Sequence, residues 1–228
     1  MQPTTTTRID LGSCSLESLE KRFDLQPKRN AVFLSHWLEQ SVGLTPFEKE
    51  DANALRELLA DNVFHWNEQE LSLHFIGPLF SLVHFTVVMK MNLFAQRLVS
   101  AEVPDKNGNL ITLFGRPDGL IASGYRSPEI PYFAFQEYKR EKDPDGDPGG
   151  QCLAAMLAGQ ALNGNPTELV YGCYVVGENW RFMVLLGREY AISPAFSAIT
   201  DEVFYIIGLL KYLKIQIITR IDAIHATV

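Results

Sequence analysis

The chain has 228 residues, of which 46% are hydrophobic and 21% are charged, and its formal net charge is −7. This composition is typical of one globular domain or one domain with an appendage, and the acidic charge argues against a protein that coats polyanions through many Lys and Arg contacts. Because no apolar run approaches the roughly 20 residues that cross a bilayer, and the segment "MQPTTTTRIDLGS" lacks the apolar part of a secretory signal, we expect a cytoplasmic protein without a membrane partner.

Residues 1–66 are predicted to be helical and rich in loops. A short helix is expected after Ser15, and a second one in "NAVFLSHWLEQSVG", with Gly43 as its C-terminal stop. Thr45 has the sequence context of a capping box that opens a third helix. We therefore predict a helical N-terminal extension packed on a core domain that spans residues 67–228.

A helix with a possible functional residue is predicted to begin at Asn67. Glu70 is placed to complete a capping box with Asn67, whereas Glu68 shares the core-facing side of the helix with Leu71. Pro78 lies inside the helical pattern, so a kink or break is expected near it. These positions make Glu68, rather than Glu70, the candidate for a role in a site.

Strand-like segments separated by one helix follow this region. "LFAQRLVSAEV" is the first strand, and Asn107-Gly108 is a strong hairpin signal after it. The next segment, "LITLFGRPDGLIASG", is one strand or two strands interrupted by "RPDG". Another strand follows in "PYFAFQEYK", and a helix of small residues follows in "GQCLAAMLAGQAL". "ELVYGCYVVG" and "RFMVLLG" are further strands, "TDEVFYIIGLLKYLK" is a last helix, and "IQIITRI" is a possible closing strand. This order predicts a mixed α/β domain.

The strand in "PYFAFQEYK" ends in two charged residues. Because side chains alternate along a strand, Glu137 and Lys139 are predicted to share one side of the sheet with Phe133 and Phe135. Burying an isolated charge costs roughly several kcal/mol unless it is paired or bound to a metal. Two interpretations remain open: the strand ends at Gln136 and the charges are solvated, or the charges belong to a site.

Asp118 lies in "GRPDG", which also has the signature of a turn. A turn residue is therefore one interpretation of Asp118. However, the Asn107-Gly108 hairpin already provides a turn, and the apolar segments on either side of "RPDG" look like one continuing strand. We therefore expect Asp118 beside the strand of Glu137, with the two carboxylates close enough to share a cation.

These motifs, in this order, resemble the PD-(D/E)XK nuclease superfamily, which has the restriction-endonuclease-like fold. Pro117-Asp118 and Glu137-Tyr138-Lys139 match its two short motifs. The segment "NEQELSLHFIGPL" looks like the first helix of the nuclease domain of type I restriction motor subunits, which places Glu68 at the helix position of the family. The resemblance covers about residues 67–187 and implies an α/β core with a central mixed β-sheet flanked by helices in αβββαβ order.

The resemblance also implies a chemistry: a metal-dependent nuclease that hydrolyses phosphodiester bonds, in DNA more than in RNA. Asp118, Glu137 and the Tyr138 carbonyl would hold Mg²⁺ or Mn²⁺, and a metal-bound water would attack the phosphate. Lys139 would orient that water and stabilise the developing negative charge, and would matter more for the reaction than for folding.

Two further residues receive roles from the same resemblance. Glu68 would hold a second ion or a metal-bound water. Gln151, at the start of the helix that follows the Glu-x-Lys strand, would position a water or a phosphate through its amide.

Two functional hypotheses remain open from the sequence. One is an active nuclease, which the complete set of Glu68, Asp118, Glu137 and Lys139 favours. The other is a non-catalytic or partner-dependent binding or regulatory protein with the nuclease fold, from a defence or mobile-element system. The acidic charge and the lack of an evident DNA-reading module favour dependence on a protein partner or a homodimer. Metal binding through Asp118 and Glu137 would distinguish the two hypotheses.

Overall fold

A mixed β-sheet flanked by helices organises residues 7–142 and 144–226, which are the residues that the computed structural model describes. The α/β class predicted from the sequence is therefore confirmed. The α-helices are α1 (Leu16–Phe23), α2 (Val32–Leu38), α3 (Pro46–Asn62), α4 (Glu68–Leu71), α5 (Gly77–Val83), α6 (Pro148–Asn163) and α7 (Glu202–His225). None of the helices in these residues is long and apolar enough to cross a membrane.

The strands form a larger and a smaller sheet. They are β1 (Thr7–Asp10), β2 (Gln26–Pro27), β3 (Met91–Ala95), β4 (Val99–Pro104), β5 (Leu110–Gly115), β6 (Gly119–Ser123), β7 (Glu129–Lys139), β8 (Val170–Val176), β9 (Asn179–Leu186), β10 (Glu189–Ile192) and β11 (Phe196–Ser197). The larger sheet has the order β2-β10-β9-β8-β7-β6-β3, with β11 beside β9, and the smaller sheet has the order β1-β5-β4. The pairs β7–β8, β2–β10 and β1–β5 are parallel, and the other pairs are antiparallel.

The N-terminal segment is more than the helical extension that was predicted. Its strand β1 pairs with β5 and its strand β2 pairs with β10, so the segment joins both sheets. These strands are too short to show a periodic pattern in the sequence. The predicted helix starts are confirmed, since Ser15 and Thr45 both cap their helices through capping boxes. Helix α2 ends at Leu38, well before Gly43.

The helical region after Asn67 is interrupted before Pro78, close to where a break was predicted. Helix α4 is followed by a π-helical segment, Ser72–Ile76, and then by α5. A proline ring crowds the carbonyl four residues before it and offers no N–H, and the wider π turn relieves that crowding. The α-helical hydrogen bonding is therefore interrupted by one π-helical turn between α4 and α5.

Of the two interpretations of "LITLFGRPDGLIASG", the two-strand one is confirmed and the single continuing strand is wrong. Strand β5 belongs to the smaller sheet and β6 to the larger sheet, so "RPDG" crosses between them. The predicted first strand is likewise split into β3 and β4. The physical reason is packing: the buried side chains Val99, Ala101 and Val103 of β4 lie in one hydrophobic cluster with α6 instead of extending the larger sheet. The hairpin at Asn107-Gly108 is confirmed, and it joins β4 to β5.

Strand β7 lies between β6 and β8 in the larger sheet, and a bulge interrupts its pairing with β6. The adjacent β6 residues Ile121 and Ala122 pair with β7 residues that are two apart, so Phe133 has no partner of its own on β6. Phe133 packs in the hydrophobic cluster that contains α7, whereas Phe135 packs in the cluster that contains α6. The prediction that Phe133 and Phe135 share the side of Glu137 is therefore wrong for Phe133, because the bulge breaks the alternation.

Helix α7 occupies the segment in which a closing strand was predicted. Residues 215–221, "IQIITRI", are helical and continue α7. Ile217 and Ile221 are both buried, and their spacing of four places them on one side of the helix. The β-branched residues suggested a strand, but the packing of this helical face against the sheet decides the conformation.

Gly159 lets α6 approach β7 closely. A Cβ atom at this position would lie 2.3 Å from Cε2 and 2.4 Å from Cζ of the buried Phe135 ring. We predict that Gly159→Ala lowers the free energy of unfolding by about 1–3 kcal/mol through overpacking, although alanine gains about 1 kcal/mol of helix propensity. Urea denaturation followed by circular dichroism measures the change. If Phe135→Leu and Gly159→Ala have strictly additive effects in the double variant, the clash is not the cause.

Candidate active site

Lys139 joins two carboxylates at the C-terminal end of β7. Its Nζ atom donates hydrogen bonds to Oε1 of Glu137 at 3.0 Å and to Oε1 of Glu68 at 3.1 Å. The side chains of Lys139 and Glu137 are each only 12% exposed, and that of Glu68 is 43% exposed. The charges at the end of this strand are therefore paired and largely buried rather than solvated, and they connect β7 to the start of α4.

The cap of α4 decides which of its two glutamates reaches Lys139. The Asn67 Oδ1 atom accepts a hydrogen bond from the Glu70 N–H at 2.9 Å, and Glu70 Oε2 accepts one from the Asn67 N–H at 2.8 Å. Glu70 is thereby committed to the helix start. Glu68 points to Lys139, as the capping argument predicted.

Asp118 lies directly before β6, and two elements hold its carboxylate. Its Oδ2 atom accepts a hydrogen bond from the Tyr138 N–H at 2.7 Å, and its Oδ1 atom accepts one from Nε2 of Gln96 at 2.6 Å. Strands β6 and β7 are antiparallel neighbours, with Gly119 opposite Gln136. The predicted neighbourhood of the Asp118 and Glu137 strands is therefore confirmed.

The two carboxylates from these strands lie in an unfavourable electrostatic environment. Burial raises the pKa of Glu137 to about 7, with a further increase from the Asp118 charge and an opposing effect from Lys139. Burial also raises the pKa of Asp118, against the lowering effects of the Tyr138 N–H and of Lys139. Burial alone would lower the pKa of Lys139, but Glu137 and Glu68 together raise it, so Lys139 is protonated at neutral pH. A further positive charge would relieve the remaining repulsion.

A pocket of about 530 Å³ opens beside these residues. Its walls come from the first turn of α4, the end of β3 and the residues around "RPDG". The lining residues are Glu68, Gln69, Ser72, Ala95, Gln96, Asp118 and Tyr138. The pocket therefore gives a ligand access to Asp118 and Glu68.

The donor chemistry of the site fits a hard divalent cation. An ionised carboxylate has about four lone-pair sites, and Asp118 uses one on each oxygen for its two hydrogen bonds. Mg²⁺ needs only one or two protein carboxylates, because it keeps several waters and binds phosphate oxygens. No group of three or more His, Cys, Asp or Glu side chains in residues 7–142 and 144–226 is arranged to hold a metal ion. Asp118 and Glu137 would thus be the protein ligands of a site completed by water and substrate.

Tyr138 contributes to the site through a contact that the sequence did not predict. Its backbone N–H holds Asp118, whereas the family resemblance assigns its carbonyl to the metal. Its hydroxyl donates a hydrogen bond to Oε1 of the buried Gln136 at 3.1 Å. The contact with Asp118 ties β7 to the "RPDG" segment, and the predicted carbonyl ligand stays a prediction.

Gln151 lies at a junction between α6 and the N-terminal segment. Its Nε2 atom donates a hydrogen bond to the Gly12 carbonyl at 2.8 Å. Asp147, which caps α6, also accepts a hydrogen bond from the Leu16 N–H at 2.8 Å. Among the described residues, no hydrogen bond joins Gln151 to Asp118 or Glu137. In the described structure the Gln151 amide therefore bonds the N-terminal segment rather than these carboxylates, and its role toward water or phosphate stays a prediction.

Gln96 is the site residue that the sequence analysis missed. It follows β3 and lies beside Asp118, which is 22 positions further along the chain. Its polar side chain follows an apolar strand, but many surface residues share that pattern. Only the packing of β3 against β6 brings Gln96 to the "RPDG" segment.

Comparison with known protein families finds no match for this chain, and comparison with curated proteins finds no similar sequence. The function is therefore inferred from the chemistry of the site. That chemistry consists of the buried Glu137 carboxylate, the more accessible Asp118 and Glu68 carboxylates, the Lys139 ammonium group and an adjacent pocket.

The raised pKa of Glu137 predicts a pH-dependent stability. The folded protein binds a proton on Glu137 more tightly than the unfolded chain does. The contribution of this proton to the free energy of unfolding is therefore fully present below about pH 4.5 and is lost as the pH rises to about 7. Metal-free wild type should therefore lose stability relative to Glu137→Gln by up to about 1.4 kcal/mol per pH unit in this window. Urea denaturation of both proteins in EDTA, from about pH 5 to about pH 8, measures the difference. A difference that stays constant with pH would contradict the assignment.

The sequence led us to expect that Lys139 matters more for the reaction than for folding, but its two ion pairs in a largely buried position predict that it also stabilises the metal-free fold. Lys139→Met keeps the aliphatic stem but leaves Glu137 and Glu68 without their ammonium partner, which should cost about 3–5 kcal/mol near neutral pH. The loss should be smaller at acidic pH, where Glu137 takes up a proton. Lys90→Met is the control, because its ion pair with Asp222 is more exposed and should contribute about 1 kcal/mol or less. Equal losses in the two variants would contradict a buried ion-pair cluster.

Proposed function

We propose that the protein is a metal-dependent nuclease that hydrolyses phosphodiester bonds, with DNA as its favoured substrate and Mg²⁺ or Mn²⁺ as its cofactor. One observation carries the proposal: half-buried Asp118, directly before β6, and buried Glu137, on the neighbouring strand β7, lie near enough for the Asp118 charge to raise the pKa of Glu137, and Asp118 lines an open pocket. A divalent cation and a phosphate group would complete the charge balance of such a site. Lys139 supplies a positive charge that is paired with Glu137 and Glu68.

The order of the elements supports the same proposal. Helices α4 and α5 precede three strands of the larger sheet, β3, β6 and β7, in the chain. Helix α6 then leads to β8, which pairs with β7 in parallel. This order supports the αβββαβ core that the PD-(D/E)XK resemblance implies. The hairpin of β4 and β5 would be an insertion between the first two core strands.

The proposed chemistry divides the work among the residues of the site. Mg²⁺, when bound, would supply a positive charge that lowers the pKa of a water and offsets charge on the phosphate. Asp118 and Glu137 would hold the ion. Lys139 has three N–H donors, of which two are used by Glu137 and Glu68 in the described structure, and the third would bind a phosphate oxygen or a water. Glu68 is the most exposed carboxylate of the cluster with Lys139, and it would orient a water in the pocket.

Two exposed arginines that lie close to pocket-lining residues in the chain would offset the acidic charge of the protein near the site. Arg116 and Arg97 are both exposed, and they flank Asp118 and Gln96 in the chain. Exposed guanidinium groups contact phosphates in any sequence, which supports binding to a nucleic-acid backbone. Both kinds of nucleic acid offer these phosphates, so the preference for DNA comes from the family resemblance.

A second candidate function is a binding or regulatory protein that keeps a nuclease-like site but needs a partner, or lacks catalysis. The observation that favours it is the internal pairing of the site. Lys139 bridges Glu68 and Glu137, and both oxygens of Asp118 accept hydrogen bonds. Such a site is partly satisfied without a metal, so it need not be loaded at all times.

Cleavage assays separate the two functions. Plasmid, linear duplex, single-stranded DNA and RNA are each incubated with the protein and Mg²⁺, Mn²⁺ or EDTA. We predict cleavage of DNA only with metal, and a loss of about 100-fold or more in Asp118→Asn, because one carboxylate ligand is removed. The control is Asp61→Asn, which changes an exposed aspartate of α3 and should retain full activity.

The same variants show which outcome contradicts the proposal. If wild type binds Mn²⁺ but cleaves none of the four substrates, the binding protein is the better account. Cleavage by Asp118→Asn at the wild-type rate would place the reaction outside this site.

A further inference from the structure

Gln96 contacts the carboxylate at the centre of the proposed site, and we infer that it is a positioning residue for Asp118. This inference rests on the proposed function, in which Asp118 is a cation ligand. Gln96 would set the direction of that carboxylate without touching the reacting atoms.

Three hydrogen bonds tie Gln96 to the "RPDG" segment. Its side-chain Nε2 donates to Oδ1 of Asp118 at 2.6 Å. Its backbone N–H donates to the Asp118 carbonyl at 3.2 Å, and its carbonyl accepts from Nη1 of Arg116 at 2.9 Å. Both the backbone and the side chain of Gln96 are thus committed to the segment that carries the carboxylate.

The backbone conformation of Gln96 is consistent with this commitment. Its φ angle is 53°, in the left-handed region that residues other than glycine rarely adopt. That conformation costs on the order of 1 kcal/mol, and the hydrogen bonds to Arg116 and Asp118 offset it. The connection between β3 and β4 therefore presents the amide to Asp118 from a fixed backbone.

The consequence for Asp118 is that donors from two sides hold its two oxygens. The Tyr138 N–H belongs to β7, and the Gln96 amide belongs to the β3–β4 connection. These two bonds restrict rotation of the carboxylate and leave further lone pairs on both oxygens. Both donors are neutral, so they orient the ligand without competing with a cation for its charge. Groups of this kind typically change metal affinity by about 10–100-fold when they are removed.

Substitutions at position 96 can separate the side chain from the backbone. Gln96→Gly removes the amide and tolerates the positive φ angle, so the fold should be retained. Gln96→Asn also tolerates this angle, but its amide is one methylene shorter and should not reach Asp118 in the same geometry. The control is Gln69→Ala, which removes an amide that lines the same pocket and has no hydrogen bond to Asp118 in the described structure.

Isothermal titration with Mn²⁺ is the test, together with thermal melts and with cleavage measured over a range of Mn²⁺ concentrations. We expect about 10-fold weaker Mn²⁺ binding in Gln96→Gly and Gln96→Asn, with cleavage largely recovered at saturating Mn²⁺. Melting temperatures should stay close to that of wild type. Gln69→Ala should bind Mn²⁺ as wild type does.

The outcomes separate this inference from the proposed function. Wild type that neither binds Mn²⁺ nor cleaves would contradict the proposed function itself. Wild type that binds and cleaves, with unchanged Mn²⁺ affinity in both Gln96 variants, would overturn only the role of Gln96. Equal losses of affinity in Gln69→Ala would overturn it too, because the effect would then belong to the pocket as a whole.

Discussion

A largely buried ammonium between two carboxylates is the constraint on which the site depends. Lys139 bonds to Glu137 on its own strand and to the more exposed Glu68 on α4, and the largely buried Glu137 carboxylate would be costly to keep ionised without it. The start of α4 therefore has to lie at the end of β7. Because Glu70 is used by the helix cap, Glu68 is the glutamate that meets this requirement.

The fold builds the site around the end of β7. Helix α6 carries the chain from β7 to the parallel strand β8, and the smaller sheet covers α6 through β4 and β5. The chain crosses from the smaller to the larger sheet through "RPDG", so Asp118 enters at the junction of the sheets, where the Tyr138 N–H and Gln96 hold it. A carboxylate at such a junction stays accessible from the pocket while strands on either side restrict its motion.

Local chemistry made much of this predictable from the sequence. The capping box at Asn67 identified Glu68, and the alternation of a strand placed Glu137 and Lys139 together, since both rules act within a few residues. The rules failed where distant packing decides. Strands β5 and β6 separate because β5 covers α6, "IQIITRI" is helical because its apolar face packs on the sheet, and the bulge moves Phe133 to the other cluster. Gln96 could not be found because its partner is set by sheet pairing.

The repulsion between the carboxylates of the site has one physical resolution in this account, which is a divalent cation bound by Asp118 and Glu137. Crystals of the protein soaked with Mn²⁺, measured for anomalous scattering, test this claim most directly. We predict a single strong anomalous peak within coordination distance of both carboxylates, about 2.0–2.6 Å from their oxygens as for hard cations. No peak at saturating Mn²⁺, or a peak that contacts neither Asp118 nor Glu137, would contradict the account.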